Sequence, residues 1–130
     1  MTFSILQGDV LEQLKTLPSD CVQCVVTSPP YWALRDYGVE GQIGLEPTPE
    51  AYVAKMVEVF AEVRRVLRPD GTCFINLGDT YANDSKWGGR TGGKHVKELH
   101  GDPAIGRGKK PTGLKPKELV GVPWRVAFAL

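Results

Sequence analysis

Apolar residues in this chain fall into two kinds of run, and the spacing within each predicts an element. Cys24-Val25-Val26 and Cys73-Phe74-Ile75 are short, continuous and β-branched or aromatic, which predicts buried strands over residues 22–27 and 72–79. Between them Tyr52, Met56, Val59, Phe60, Val63, Val66 and Leu67 recur at helical spacing, with Glu58, Glu62, Arg64 and Arg65 mostly on the other side. Thr48-Pro49-Glu50 supplies a cap, a first-turn proline and a first-turn acid, and Arg68-Pro69-Asp70-Gly71 stops the helix. Ahead of these, residues 3–7 read as a strand ending in the Gly8-Asp9 turn, followed by a helix from Val10 to Leu17 that Asp9 would cap. Near the end, Leu119, Val122, Val126 and Leu130 resume helical spacing, with Pro123 either bending that helix or marking its start. Strand, helix, strand in this order implies an α/β fold with a parallel sheet.

Thr27-Ser28-Pro29-Pro30-Tyr31-Trp32 follows the first of the two apolar strands, at the carboxyl end where open α/β sheets bind ligands. Two consecutive prolines fix two φ angles, remove two N–H donors and hold Ser28 extended, leaving the carbonyls of Ser28 and Pro29 free to accept hydrogen bonds. The same residues also suit a plain Pro-rich turn with two aromatics tucked into the core. After Trp32, a segment with Gly38, Gly41, Gly44, Pro47 and Pro49 is a candidate lid, and Arg35 within it could pair with a phosphate. Asn76 and Asp79 end the later strand, near the site or simply capping backbone groups.

Composition narrows the class. At 130 residues, 42% apolar and 24% charged, the chain suits one globular domain. No apolar run approaches the roughly 20 residues of a membrane span, so the expected location is the cytoplasm. Cys21, Cys24 and Cys73 form no zinc-like set and read as buried free thiols, with no metal expected. The net charge of +1 is unevenly spread. From Asn83 to Lys117 there are nine Lys or Arg against three acids, a surplus of six that leaves the remainder at −5. This stretch also holds eight glycines between Gly88 and Gly113, so residues 80–117 read as a basic Gly-rich loop able to follow a polyanion or merely to stay soluble.

The hexapeptide as a whole resembles motif IV of the amino-group DNA methyltransferases, which methylate an exocyclic amine of cytosine or adenine using S-adenosyl-L-methionine. Ser at the first position of Ser28-Pro29-Pro30-Tyr31 looks like the cytosine-N4 type. The resemblance implies a Rossmann-like, three-layer, mostly parallel methyltransferase fold and direct transfer to the amine of a flipped base in double-stranded DNA. It casts Ser28, Pro29, Pro30 and Tyr31 as catalytic, the hydroxyl and the Pro29 carbonyl accepting the amine protons and the Tyr31 ring stacking on the base. Gly8-Asp9 resembles motif III, so Asp9, with Thr27, is implied in cofactor binding. Trp32, Arg35, Lys86, Arg90, Lys94, Arg107, Lys109 and Lys110 are then the expected DNA contacts. Leu67-Arg68-Pro69-Asp70-Gly71 resembles the helix-to-strand passage of methyltransferase-like folds.

The resemblance also implies a division of labour along a longer chain. In the β-class order the catalytic part comes first, then a target-recognition region, then a Phe-x-Gly-x-Gly loop for the cofactor, which is absent here. Residues 1–130 are therefore expected to be the N-terminal part of a single catalytic domain, truncated within an apolar pattern and inactive alone. The strands that carry the missing loop and its acidic partner would lie between those ending at Asp9 and Thr27, so their neighbours' apolar faces should be undersatisfied. A restriction endonuclease in the same system is an expected partner. An adenine-N6 methyltransferase would keep nearly all these residues, and a non-catalytic DNA-binding remnant would keep the fold and the basic loop. A cytosine-C5 enzyme does not fit, because no cysteine follows a proline.

Overall fold

The structure, a computed structural model, describes residues 3–82 and 112–130. Its elements are α1 (Val10–Lys15), β1 (Val22–Thr27), α2 (Pro49–Val66), β2 (Leu67–Ile75) and α3 (Val122–Ala129). β1 and β2 pair in parallel, with α2 as the crossover between them, so the expected α/β unit is present. Among the described residues the sheet has these two strands alone.

α2 forms where its pattern predicts. The Thr48 hydroxyl caps it by accepting from the Ala51 N–H at 3.1 Å, and Pro49 occupies the first turn, where a missing N–H costs nothing. Its apolar stripe is the core: Tyr52, Met56, Val59, Phe60, Val63 and Val66 are buried, with Trp32, Ala82, Val120, Val122 and Val126 around them. Arg65, in the last turn, donates to the Leu14 carbonyl at 2.8 Å, the Leu17 carbonyl at 3.0 Å and the Ser19 hydroxyl at 3.2 Å, while Glu62 holds its Nε. One guanidinium thus satisfies carbonyls at the end of α1 and ties that short helix to the crossover.

Four expectations are corrected. Residues 3–7 form no strand, and Phe3 is 88% exposed, because no ladder partner lies beside them among the described residues. The strands are not buried on both faces: α2 packs against the sheet, and on its uncovered side Val26 is 78% and Phe74 60% exposed among the described residues. Cys21, Cys24 and Cys73 are free but exposed rather than buried, although partial burial pushes the Cys73 thiol up from its ordinary pKa. β2 starts at Leu67, opposite Val22, and then skips to Thr72 opposite Cys24. The Arg68-Pro69-Asp70-Gly71 turn is therefore a bulge inside the strand rather than a spacer before it.

α3 begins at Val122, so Pro123 marks its start and does not bend it. Val122 and Val126 are buried, whereas Leu119 and Leu130 are exposed. Arg125 joins α3 to the start of α2, donating to the Val120 carbonyl at 2.9 Å and to Glu50 at 2.6 Å. No helix among the described residues is long and apolar enough to cross a membrane, and no group of His, Cys, Asp or Glu among them could hold a metal ion.

Arg65 gives a stability prediction. Lysine cannot present two N–H groups to two carbonyls in a fixed fork, so Arg65→Lys should cost about 1–2 kcal/mol. Urea unfolding should show a lower midpoint at unchanged slope, and an unmoved midpoint would contradict the tie.

Candidate active site

β1 ends where its chemistry requires. The Thr27 carbonyl accepts from the Asn76 N–H at 2.9 Å, and the next residues able to donate to a ladder are removed by Pro29 and Pro30. Beyond them the chain is fastened firmly. The Pro30 carbonyl accepts from the Tyr52 hydroxyl at 2.8 Å and the Tyr31 carbonyl from the Leu34 N–H at 3.4 Å. Ala33 takes a left-handed conformation at φ 56°, costly for a residue with a Cβ, and donates its N–H to the Gly44 carbonyl at 2.8 Å. Between these anchors, the Ser28 hydroxyl and the carbonyls of Ser28 and Pro29 have no hydrogen-bond partner among the described residues. Ser28 is exposed and Pro29 half-buried, so these acceptors are not shut inside the protein.

Two glycines allow the motif to lie as it does. A Cβ on Gly78, just past β2, would stand 2.6 Å from one edge carbon of the Tyr31 ring and 2.7 Å from another. The ring therefore rests directly on the backbone of the neighbouring strand end. Gly44 adopts φ +103°, and a Cβ there would meet the Tyr31 carbonyl at 3.0 Å. Glu46 closes the same loop, accepting from the Gly44 N–H at 2.9 Å with its carboxylate and from the Trp32 indole N–H at 3.0 Å with its carbonyl.

Tyr52 is fully buried, and its phenol is pushed well above the usual tyrosine pKa, first by burial and then by the charge of Glu46 and the nearby Tyr31. It stays a donor throughout the working pH range. On sequence alone, Tyr52 stands out only as part of an apolar stripe. The available signal was that a buried tyrosine hydroxyl in such a stripe must find an acceptor.

The other expected site residues fare differently. Asp9 caps α1, its Oδ1 accepting from Leu11 N–H at 2.9 Å and Glu12 N–H at 3.1 Å. Its other oxygen has no partner among the described residues and the side chain is exposed, so this carboxylate can still accept a hydrogen bond from an amine such as that of S-adenosyl-L-methionine. Thr27 lies half-buried at the end of β1. Trp32 departs from the expected DNA contact: it is 2% exposed with its indole N–H satisfied, because the turn after the prolines folds it into the core. Arg35 is exposed on the loop expected as a lid, which is pinned internally by Gln42 bonds to the Tyr37 N–H and the Arg35 carbonyl. Asp79 is a capping residue at long range: its carboxylate accepts from the N–H groups of Gly121 and Val122 at 3.0 Å, fixing the start of α3. Lys86, Arg90, Lys94, Arg107, Lys109 and Lys110 lie outside the described residues.

Comparison with known proteins gives the same motif a context. The family model described as DNA methylase matches residues 22–117. The chain is 50% identical over 127 residues to the Type II methyltransferase M.XycI of Xanthomonas campestris pv. cyanopsidis, covering 98% of this chain and 41% of that protein. It is 46% identical over 128 residues to the Type II methyltransferase M.Cfr9I of Citrobacter freundii, covering 98% of this chain and 41% of the relative. It is 48% identical over 126 residues to the Type II methyltransferase M.SmaI of Serratia marcescens, covering 97% of this chain and 42% of the relative. The chain thus spans about two fifths of the length of these relatives.

The Gly78 contact is open to direct test. Gly78→Ala should force the Tyr31 ring off its seat at a cost of about 1–3 kcal/mol. Chemical denaturation and the Tyr31 ring-proton resonances should both change. A variant with wild-type stability and unshifted Tyr31 signals would show that the ring does not rest there.

Proposed function

This chain belongs to the amino-group DNA methyltransferase family, and we propose that in the whole protein its Ser28-Pro29-Pro30-Tyr31 run receives the N4 amine of a cytosine flipped out of double-stranded DNA. The observation that carries this reading is the pair of acceptors, the Ser28 hydroxyl and the Pro29 carbonyl, that have no partner among the described residues and are held at a strand's carboxyl end between anchored neighbours. An aromatic amine delocalises its lone pair into the ring and attacks poorly. Two acceptors that draw its N–H bonds out of the ring plane localise that pair on nitrogen, in a site arranged before the reaction begins. The departing proton leaves on the Ser28 side, which is open to water, and the Tyr31 face supports the base. S-adenosyl-L-methionine, when bound, supplies the electrophilic methyl group. The Asp9 oxygen that has no partner among the described residues would accept from its adenine amine, and Thr27 is the other residue of this chain that would hold the cofactor.

Membership of the same family supports further assignments. The α/β unit is the N-terminal part of a Rossmann-like catalytic domain, with the target-recognition region and the Phe-x-Gly-x-Gly loop supplied by other residues. Arg35 and the basic cluster of Lys86, Arg90, Lys94, Arg107, Lys109 and Lys110 neutralise DNA phosphates. The protein works in the cytoplasm beside a restriction endonuclease of the same specificity. Taken alone, residues 1–130 turn over no substrate, since among the described residues nothing covers Val26 and Phe74 on one face of the sheet and the sequence has no Phe-x-Gly-x-Gly loop for the cofactor. Serine at the first motif position favours cytosine over adenine as the target.

The test joins these 130 residues to the part of M.XycI that they do not match, and identifies the methylated nucleoside by mass. The expected product is N4-methylcytosine, and Ser28→Ala should lower kcat by about 10²–10³ while DNA affinity persists. N6-methyladenine would overturn the assignment to cytosine. An undiminished kcat in Ser28→Ala would remove the acceptor role itself, and product from the 130-residue chain alone would overturn its inactivity.

A further inference from the structure

We infer that Tyr52, buried in the first turns of α2 and outside the motif, is a positioning residue for this site: its hydroxyl holds the Pro30 carbonyl and thereby aims the Pro29 carbonyl at the amine. The inference rests on the proposed acceptor role of Ser28 and Pro29. Dihedral angles carry it. The Pro29 carbonyl belongs to the planar peptide joining Pro29 to Pro30, and the Pro30 carbonyl to the next plane. Between those planes lie only the φ of Pro30, locked by its ring, and the ψ of Pro30. Fixing the Pro30 carbonyl with a 2.8 Å bond from Tyr52 therefore fixes the last soft angle, and the orientation of the Pro29 carbonyl with it.

The anchor suits the task. Tyr52 is 0% exposed and sits on the longest helix of the described residues, among Met56 and the rest of the core, so the phenol cannot follow a moving loop. On the amino side, Asn76 holds the Thr27 carbonyl in the same way through its N–H at 2.9 Å. The two bonds bracket Ser28 and Pro29 and determine which carbonyls of the run are occupied. Without the Tyr52 bond, the Pro30 carbonyl becomes a competing acceptor and the plane of Pro29 can swing about ψ.

A chain competent for methylation that carries these 130 residues, such as the chimera with M.XycI, tests the inference through steady-state kinetics with rates expressed per active site from the stoichiometry of S-adenosyl-L-methionine binding. Tyr52→Phe, which keeps the ring and removes one oxygen, should lower kcat about tenfold with KM for DNA and for S-adenosyl-L-methionine unchanged, the size expected for losing one well-placed hydrogen bond. Replacement of Tyr52 by 4-aminophenylalanine, which restores an N–H donor at the same place, should recover most of that loss. Wild-type kcat per active site in Tyr52→Phe, alongside a large loss in Ser28→Ala, would overturn the positioning role and leave the acceptor reading standing. A loss confined to KM would also overturn it. Should Ser28→Ala itself keep full kcat, the acceptor reading falls and this inference with it.

Discussion

A backbone that cannot donate is the constraint on which this structure turns. Pro29 and Pro30 lack N–H groups, so β1 cannot continue its ladder past Thr27, and the chain must leave the sheet at the edge where the Tyr31 ring meets Gly78. The same two residues are stiff in φ, so the exit has one shape rather than many. The result is a short span whose Ser28 and Pro29 carbonyls have no partner among the described residues, held at both ends by bonds to the end of β2 and to α2. Chain stiffness here does what a larger network of side chains would otherwise have to do.

α2 is the body to which everything else is tied. Its apolar stripe forms most of the core, its first turns reach the motif through Tyr52 and α3 through Glu50 and Arg125, and its last turn reaches α1 through Arg65. The Arg125 pair also holds the Glu50 carboxyl below its ordinary range, although a helix N–H does more of that work. Two further carboxylates sit at helix starts: Asp9 caps α1 and Asp79 caps α3 across more than forty residues of sequence. The end of β1 is joined to the end of β2 through Asn76 and to the first turns of α2 through Tyr52, which is where the motif lies.

Much of this was legible in the sequence because it is local. The α2 stripe, the Thr48 and Asp9 caps, Pro123 at a helix start and the break after Thr27 all depend on residues within one turn of each other. What could not be read depends on partners far along the chain. Residues 3–7 have strand composition but no neighbour to pair with, and Val26 and Phe74 have core composition but no layer over them among the described residues. Trp32 reads either as a DNA contact or as one of two core aromatics, and the bond that seats it in the core, from its indole N–H to the Glu46 carbonyl 14 residues away, has no local signature. Tyr52 is separated from Pro30 by 22 residues and Asp79 from Gly121 by 42, so neither pairing has a local signature.

The central claim is geometric, and a crystal structure answers it most directly. In a methylation-competent chain bound to duplex DNA and a non-reactive cofactor analogue, the account predicts a cytosine outside the helix with its N4 within about 3 Å of both the Ser28 Oγ and the Pro29 carbonyl oxygen. A target base seated elsewhere, or an amine that meets neither oxygen, would contradict it.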